Sequence, residues 1–266
     1  MMLFARWALS ASALGIIGAF GATLLSYPAN PRVISIARRA SITLLIASFL
    51  IITAQLYAWF GVDGLIVPEN AWTMLSITEW GLHWAWMAGV AVAVALVLAI
   101  AGSRPQIWIF ASGAAALCVA ATVPLVGHGG THDALTVFLH RMHLFGAGLW
   151  IGSLAVAVLA HLDDTPRLLA SLRRFAPIAL TGAAMVALSG LVLAWEHIRP
   201  LSTLWTSAYG RTLAGKVIAV LIVGGLGFVN WRGPRLRVVI AEITIAIVVV
   251  LSLTALLSEL QMPGGH

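Results

Sequence analysis

Residues 79–101 read EWGLHWAWMAGVAVAVALVLAIA, and this stretch decides the fold. Beyond Glu79 it carries no formal charge to its end. At ~1.5 Å per residue a helix of this length crosses a hydrocarbon core ~30 Å thick. In lipid every backbone N–H and C=O must find a partner within the chain, which a helix provides by itself. The stretch is therefore expected to be a transmembrane helix, entered at Glu79 and left before Gly102.

Working outward, the same signal recurs along the chain. Candidate spans fall at Phe4–Ser26, Arg39–Phe60, Glu79–Ala101, Gln106–Val126, Ala134–Ala160, Ala176–Trp195, Arg211–Trp231 and Leu236–Leu260. Breakers rich in Pro, Gly and Asp separate them, among them 27–31, 102–105, 127–130, 163–166 and 232–234. The apolar stretch from Trp7 to Leu25 is long for a secretory leader, and a retained first helix is expected. The expected fold is thus an all-α, polytopic membrane bundle of about eight helices, forming a single transmembrane domain over 1–266.

Composition agrees. Of 266 residues, 61% are hydrophobic and 9% charged, against about 25% charged in an ordinary soluble domain. Mean hydropathy is +1.01. A net charge of +6 in a soluble protein would direct attention to nucleic acid. Here the basic residues lie in short connections between apolar runs, so no nucleic-acid partner is expected. The connections between spans 1–2, 3–4, 5–6 and 7–8 hold Arg32, Arg38, Arg39, Arg104, Arg167, Arg173, Arg174, Arg232, Arg235 and Arg237. The other side holds Arg6, Arg141, Arg199, Arg211 and Lys216. The positive-inside rule makes the first group cytoplasmic and both termini periplasmic. Trp59, Trp72, Trp80, Trp84, Trp86, Trp195 and Trp205 then cluster near outer span ends, as belt anchors do.

The residues lipid should exclude carry the functional signal. This topology places His83, His128, His132, His140, His143, His197 and His266 on or near the outer side, and His161 alone at the cytoplasmic end. In the third span Glu79, His83 and Met87 recur every four residues and form one stripe. The stripe runs ~12 Å inward, from carboxylate to imidazole to thioether. Such a series suits an ion shedding its water, and the softer ligands favour copper. Equally, Glu79 can be a helix cap, His83 an interfacial histidine and Met87 packing.

In the fifth span His140 and His143 lie three residues apart, with Arg141 between them, and His143 shares a face with Trp150. With His128 and His132 in the preceding connection they supply four imidazoles suited to metal binding. Polar groups at such depth are costly and usually functional. Gly146, Gly148 and Gly152 on the same span allow close helix approach. Arg211 and Lys216 either snorkel outward or meet an anionic group. Cys118 reads as a buried structural thiol. There is no phosphate-cradling loop, nucleophile elbow or H-E-x-x-H, so no enzyme is expected. Histidines on facing helices also suit a haem b carrier, for which His83 and His143 would be the axial pair. A non-transporting scaffold is the third alternative.

The segment His143-Leu-Phe-Gly-Ala-Gly-Leu-Trp150-Ile-Gly152-Ser-Leu, preceded by Gly127-His128, resembles the copper resistance D (CopD-like) membrane proteins. The resemblance continues through Arg174-Phe175 and Ser189-Gly190, and is strongest in Leu204-Trp-Thr-Ser-Ala-Tyr-Gly-Arg-Thr-Leu-Ala-Gly-Lys216. Asn230, Pro234-Arg235-Leu236 and Glu242 complete it, and Thr78-Glu-Trp-Gly-Leu-His-Trp84 resembles the family's third-span opening. It covers about residues 78–260, the first two spans matching in hydropathy only. Trp231 and Ser153 depart from the pattern, where the family tends to have a basic residue and a glycine. The resemblance implies copper handling in the bacterial inner membrane, uptake from periplasm to cytoplasm, and a separate periplasmic CopC-like partner. From the residues themselves, no ligand path to the cytoplasm is evident, because the inner halves of the spans read as almost purely apolar.

Overall fold

The computed structural model describes residues 1–25, 30–102, 104–127, 133–198 and 202–260. Eight helices in it are long and apolar enough to cross a membrane: Met2–Leu25, Pro31–Phe60, Glu79–Ala101, Pro105–Val126, Ala134–Ala160, Ala176–Glu196, Ala208–Arg232 and Leu236–Leu257. No strand occurs among the described residues. This is the expected all-α multi-pass architecture. Among the described residues, one face of the bundle carries the arginines of the connections and the other carries His83, His140 and His143, whereas His161 ends the fifth span on the arginine side.

The largest boundary difference is in the second span, which starts eight residues earlier than hydropathy suggests. Pro31 would break a helix at an interior position, but it sits at the first helical position, where its missing N–H costs nothing. The Asn30 side chain caps the helix by accepting from the Arg32 backbone N–H at 2.9 Å. The span therefore begins with Arg32, Arg38 and Arg39 inside it. Short helices occupy connections that hydropathy leaves unassigned: Asp63–Ile66, Pro68–Ile77, Thr165–Arg174 and Thr203–Thr206. Thr165–Arg174 is amphipathic. Its Leu168 and Leu172 are buried in a cluster with Phe175 and Val239, whereas Arg173 and Arg174 are exposed.

The first span occupies the middle of the bundle, packed against the second, fourth, fifth and eighth spans. Its contact with the fifth is backbone on backbone. A Cβ on Gly18 would overlap the Gly152 backbone, one on Gly152 would overlap the Leu14 carbonyl, and one on Gly148 would meet the Ile17 side chain. Small residues substitute here for the hydrophobic drive that lipid removes. Polar ties fix the same helix elsewhere. The Trp7 indole donates to the Ile247 carbonyl at 3.1 Å, Trp108 donates to Thr23 Oγ1 at 3.0 Å, and Arg6 pairs with Glu259. By contrast Ile100, Phe110, Leu191 and Leu221 are exposed on outward faces, as lipid contact requires.

The third span packs on the second and fourth, and the fifth packs on the first, fourth and sixth. Two spans contain a π-helical turn, Gly148–Gly152 in the fifth and Ile245–Val250 in the eighth. Such turns widen the helix locally and shift the faces beyond them.

Candidate functional site

The fifth and sixth spans run side by side, and their interface is polar at its histidine-bearing end. Asp133 caps the fifth span, its carboxylate accepting from the backbone N–H groups of Leu135 at 2.8 Å and Thr136 at 3.1 Å. Thr136 Oγ1 reaches across to Glu196 Oε2 on the sixth span at 2.9 Å. One turn deeper on the same face comes His140, and three residues further His143. His143 Nδ1 lies 3.1 Å from Ser189 Oγ of the sixth span. Glu196 and Ser189 are seven residues apart, so they too share a helix face. The interface is a file of rungs: an acidic mouth, His140, then His143 with Ser189, ~13 Å along the helix from its start.

Hydrogen bonding to the sixth span orients the His143 ring. The Ser189 hydroxyl donates to the Met185 carbonyl, so its lone pairs face the imidazole and accept from Nδ1–H. That tautomer leaves Nε2 with its lone pair in the ring plane, the form in which histidine binds metals. Gly190 makes room for the ring: a Cβ there would lie 3.1 Å from His143 Cε1. Lys216 of the seventh span is within electrostatic reach of the ring, as is His140. Lys216 itself is half-buried. Below the histidines the helices close on each other, where a Cβ on Gly146 would stand 2.7 Å from Met185 Cβ.

The other half of the candidate set lies elsewhere. Glu79 is exposed, His83 is half-buried, and Met87, 1% exposed, is packed in the apolar cluster shared by the first, second and fourth spans. Thr78, not Glu79, caps the third span, its Oγ1 accepting from Gly81 N–H at 2.9 Å. The fourth span stands between this stripe and the histidines of the fifth. Near Pro124 the fourth span tightens into a 3-10 turn, and carbonyls of its last α turn lose their usual partners. Arg141 Nε takes one of them, Ala121 O, at 2.9 Å. Two residues along a helix is a rotation of ~200°, so His143 points away from the fourth span while Arg141 points toward it. His83 and His143 thus do not face each other as a haem pair would. His128 and His132 lie outside the described residues. Among the described residues no three His, Cys, Asp or Glu side chains converge as a metal cluster.

Two features escaped the sequence reading. Asp133, which sequence alone places in a polar connection, joins Thr136 in tying the mouth of the fifth span to Glu196. Trp80 and Trp84 are half-buried and donate inward, to Val126 O at 3.1 Å and Ser48 O at 2.9 Å. Trp59 and Trp195 are exposed at span ends, Trp72 and Trp205 on short helices of the connections, and Trp86 two turns into the third span, all within reach of a headgroup belt. Cys118 is also exposed rather than buried, because it lies on an outward face of the fourth span.

Comparison with known proteins adds the chemistry of relatives. Residues 169–257 match the family described as copper resistance protein D, and residues 1–136 match the copper resistance protein D-like N-terminal domain. The second match takes in the first two spans, where the residue motifs offered hydropathy alone. The copper transport protein CutJ of Bacillus subtilis (strain 168) is 30% identical over 119 residues, covering 41% of this chain and 22% of the relative's length. No solved structure matches the chain.

Proposed function

The chain belongs to the copper resistance protein D family, and we propose that it binds copper at its histidine-bearing face and passes it into the bundle between the fifth and sixth spans. Copper here is cargo. The observation that carries this reading is the polar file from the Asp133–Thr136–Glu196 mouth through His140 to His143.

Each rung has a physical role. Glu196 and Asp133 attract a cation to a surface otherwise lined with apolar side chains. His140 and His143 replace its water with imidazole nitrogens. Ser189 orients the deeper ring so that Nε2 is the ligand atom. Lys216 beside His143 opposes a second positive charge, so the deeper rung accepts copper only when that ammonium withdraws. His140 is accordingly the holding station and His143 the gate. Glu79 and His83 form a second approach on the same face, and Met87 is reached from it only if the surrounding apolar cluster opens. His128 and His132, in the connection above the fifth span, act in recruitment from a CopC-like partner.

By the distribution of arginines the histidine-bearing face is periplasmic, with both termini on that side of the bacterial inner membrane, and the family resemblance supports uptake as the direction of movement. No catalytic step is assigned, and the chain acts as a carrier, not an enzyme. Metal analysis of detergent-purified protein tests the binding half: copper should co-purify with the wild type and be lost from His140→Ala/His143→Ala. Equal copper in both would overturn it. A visible spectrum without a Soret band separates it from a haem b carrier. Copper accumulation in proteoliposomes separates transport from a scaffold that only binds.

A further inference from the structure

Glu242 is the one carboxylate buried in the arginine-side half of the bundle among the described residues. It is 1% exposed and six residues from the start of the eighth span, ~9 Å along its axis. The inner halves of the spans were read as almost purely apolar, so this group answers the missing path. Trp150 Nε1 donates to Glu242 Oε1 at 3.1 Å, and Asn230 Nδ2 donates to Oε2 at 2.6 Å. The place is built for these groups. A Cβ on Gly227 would come within 3.1 Å of Oε1, the Trp150 ring lies against Gly224 and Gly227 of the seventh span, and the Trp150 backbone and Cβ lie against Gly182 of the sixth. Trp150 stands seven residues beyond His143, inside the π-helical turn of its span, so the file of the fifth span ends on this carboxylate.

Nothing nearby cancels its charge. Among the described residues no basic side chain pairs with Glu242. Lys216 of the seventh span lies fourteen residues from Asn230, ~21 Å up the helix. Arg232 is exposed and stacked over Phe228 at 4.8 Å. Arg237 of the eighth span and Arg167, Arg173 and Arg174 of the amphipathic helix are exposed. On the fifth span His143 and His140 are at least seven residues above Trp150, and His161 is held by the Ala157 carbonyl at 3.0 Å. Two N–H donors fill only part of a carboxylate's acceptor capacity and leave its charge, and in hydrocarbon that charge needs a counter-ion or a proton. A metal is poorly served by one carboxylate without further ligands. A proton is well served. Asn230 Oδ1 is buried and has no partner among the described residues. The amide can present Nδ2 to the ionised carboxylate or, turned over, Oδ1 to the O–H of the carboxylic acid. Asn230 is therefore a partner for both protonation states.

We propose that Glu242 is a proton-binding site, held by Trp150 and Asn230, that exchanges its proton with water at the arginine-rich face as a cation passes. When a cation enters from the histidines the carboxyl releases one proton to that water, and it takes one back when the cation leaves. The coupling rests on the transport reading, whereas the proton binding stands apart from it.

Two measurements keep them distinguishable. In infrared difference spectra of copper-free, reconstituted protein across a pH step, a carboxylic C=O band should appear, vanish in Glu242→Gln and shift in Asn230→Leu. A band unchanged in both variants, or no such band in the wild type, overturns the proton site. The Asn230→Leu arm decides the matter even where Glu242→Gln does not fold. In proteoliposomes carrying an internal pH dye, wild-type copper uptake should be accompanied by proton movement, and Glu242→Gln should lose that proton signal while its copper co-purification is retained. Uptake with undiminished proton movement in Glu242→Gln overturns the coupling. Wild-type liposomes that take up no copper overturn the transport reading and the coupling together, leaving the infrared band to decide the proton site alone.

Discussion

The third and fifth spans carry the same device in their sequences, metal-suited side chains at helical spacing entering from the same face, and the bundle surrounds them differently. In the third span the file passes from exposed Glu79 to Met87 sealed among apolar neighbours. In the fifth, the mouth and the deepest rung meet a polar group of the sixth span, Glu196 across from Thr136 and Ser189 across from His143. Spacing decides which side chains share a helix face, and the neighbouring helix decides whether that face is a core or a site.

The sharpest way to break the comparison is to remove one file at a time. His140→Ala/His143→Ala should lower copper affinity beyond the ~100-fold that loss of a merely orienting partner can cost. His83→Ala/Met87→Ala should change it much less, both read by competition with a chromogenic chelator. The reverse result would move the site to the third span. Glycines contrast the scaffolds in the same way. Gly152→Ala places a Cβ in the Leu14 carbonyl and should cost ~3 kcal/mol or more in detergent stability. Gly89→Ala of the third span, with open space around it, should be neutral or stabilise by up to ~1 kcal/mol. Thermal aggregation of the two variants measures the difference. Ser189→Ala leaves the imidazole in place but frees its orientation, and copper affinity should fall ~10-fold. Smallest is Glu196→Gln, which keeps the bond to Thr136 while removing a surface charge. It should slow copper loading at low salt by a few-fold (~0.5–1 kcal/mol) and be nearly silent at high salt, where screening removes the effect.

Hydropathy made the eight spans legible because a span must satisfy its backbone and shed charge, and both demands are written in consecutive residues. It failed at Pro31, where a residue that forbids helix interiors is harmless at the start. The helix Thr165–Arg174 was invisible to a hydropathy window because half of it faces water. His140 and His143 were legible as costly polar groups on one helix. Their partners were not, since Ser189 and Glu196 are assigned by which helix packs alongside, over separations of 46 and 60 residues. Glu242 stood in a recognisable motif, but its burial with Trp150, 92 residues away, depends on the room left by Gly224 and Gly227 of the seventh span.

The central first span has a consequence for how the protein is made. It leaves the ribosome before every helix it will touch, and the fifth span, whose backbone it meets at Gly18 and Gly152, comes more than a hundred residues later. Its ties to the eighth span, Trp7 to Ile247 and Arg6 to Glu259, wait longer still. Until then its glycine-lined groove faces lipid or the insertion machinery. Assembly is therefore post-insertional in its decisive step: the early helices can enter the bilayer one by one, but the core closes only when the eighth arrives. A ribosome stalled before the eighth span should leave the first span open to cross-linking by insertion factors, and completion of the chain should end it.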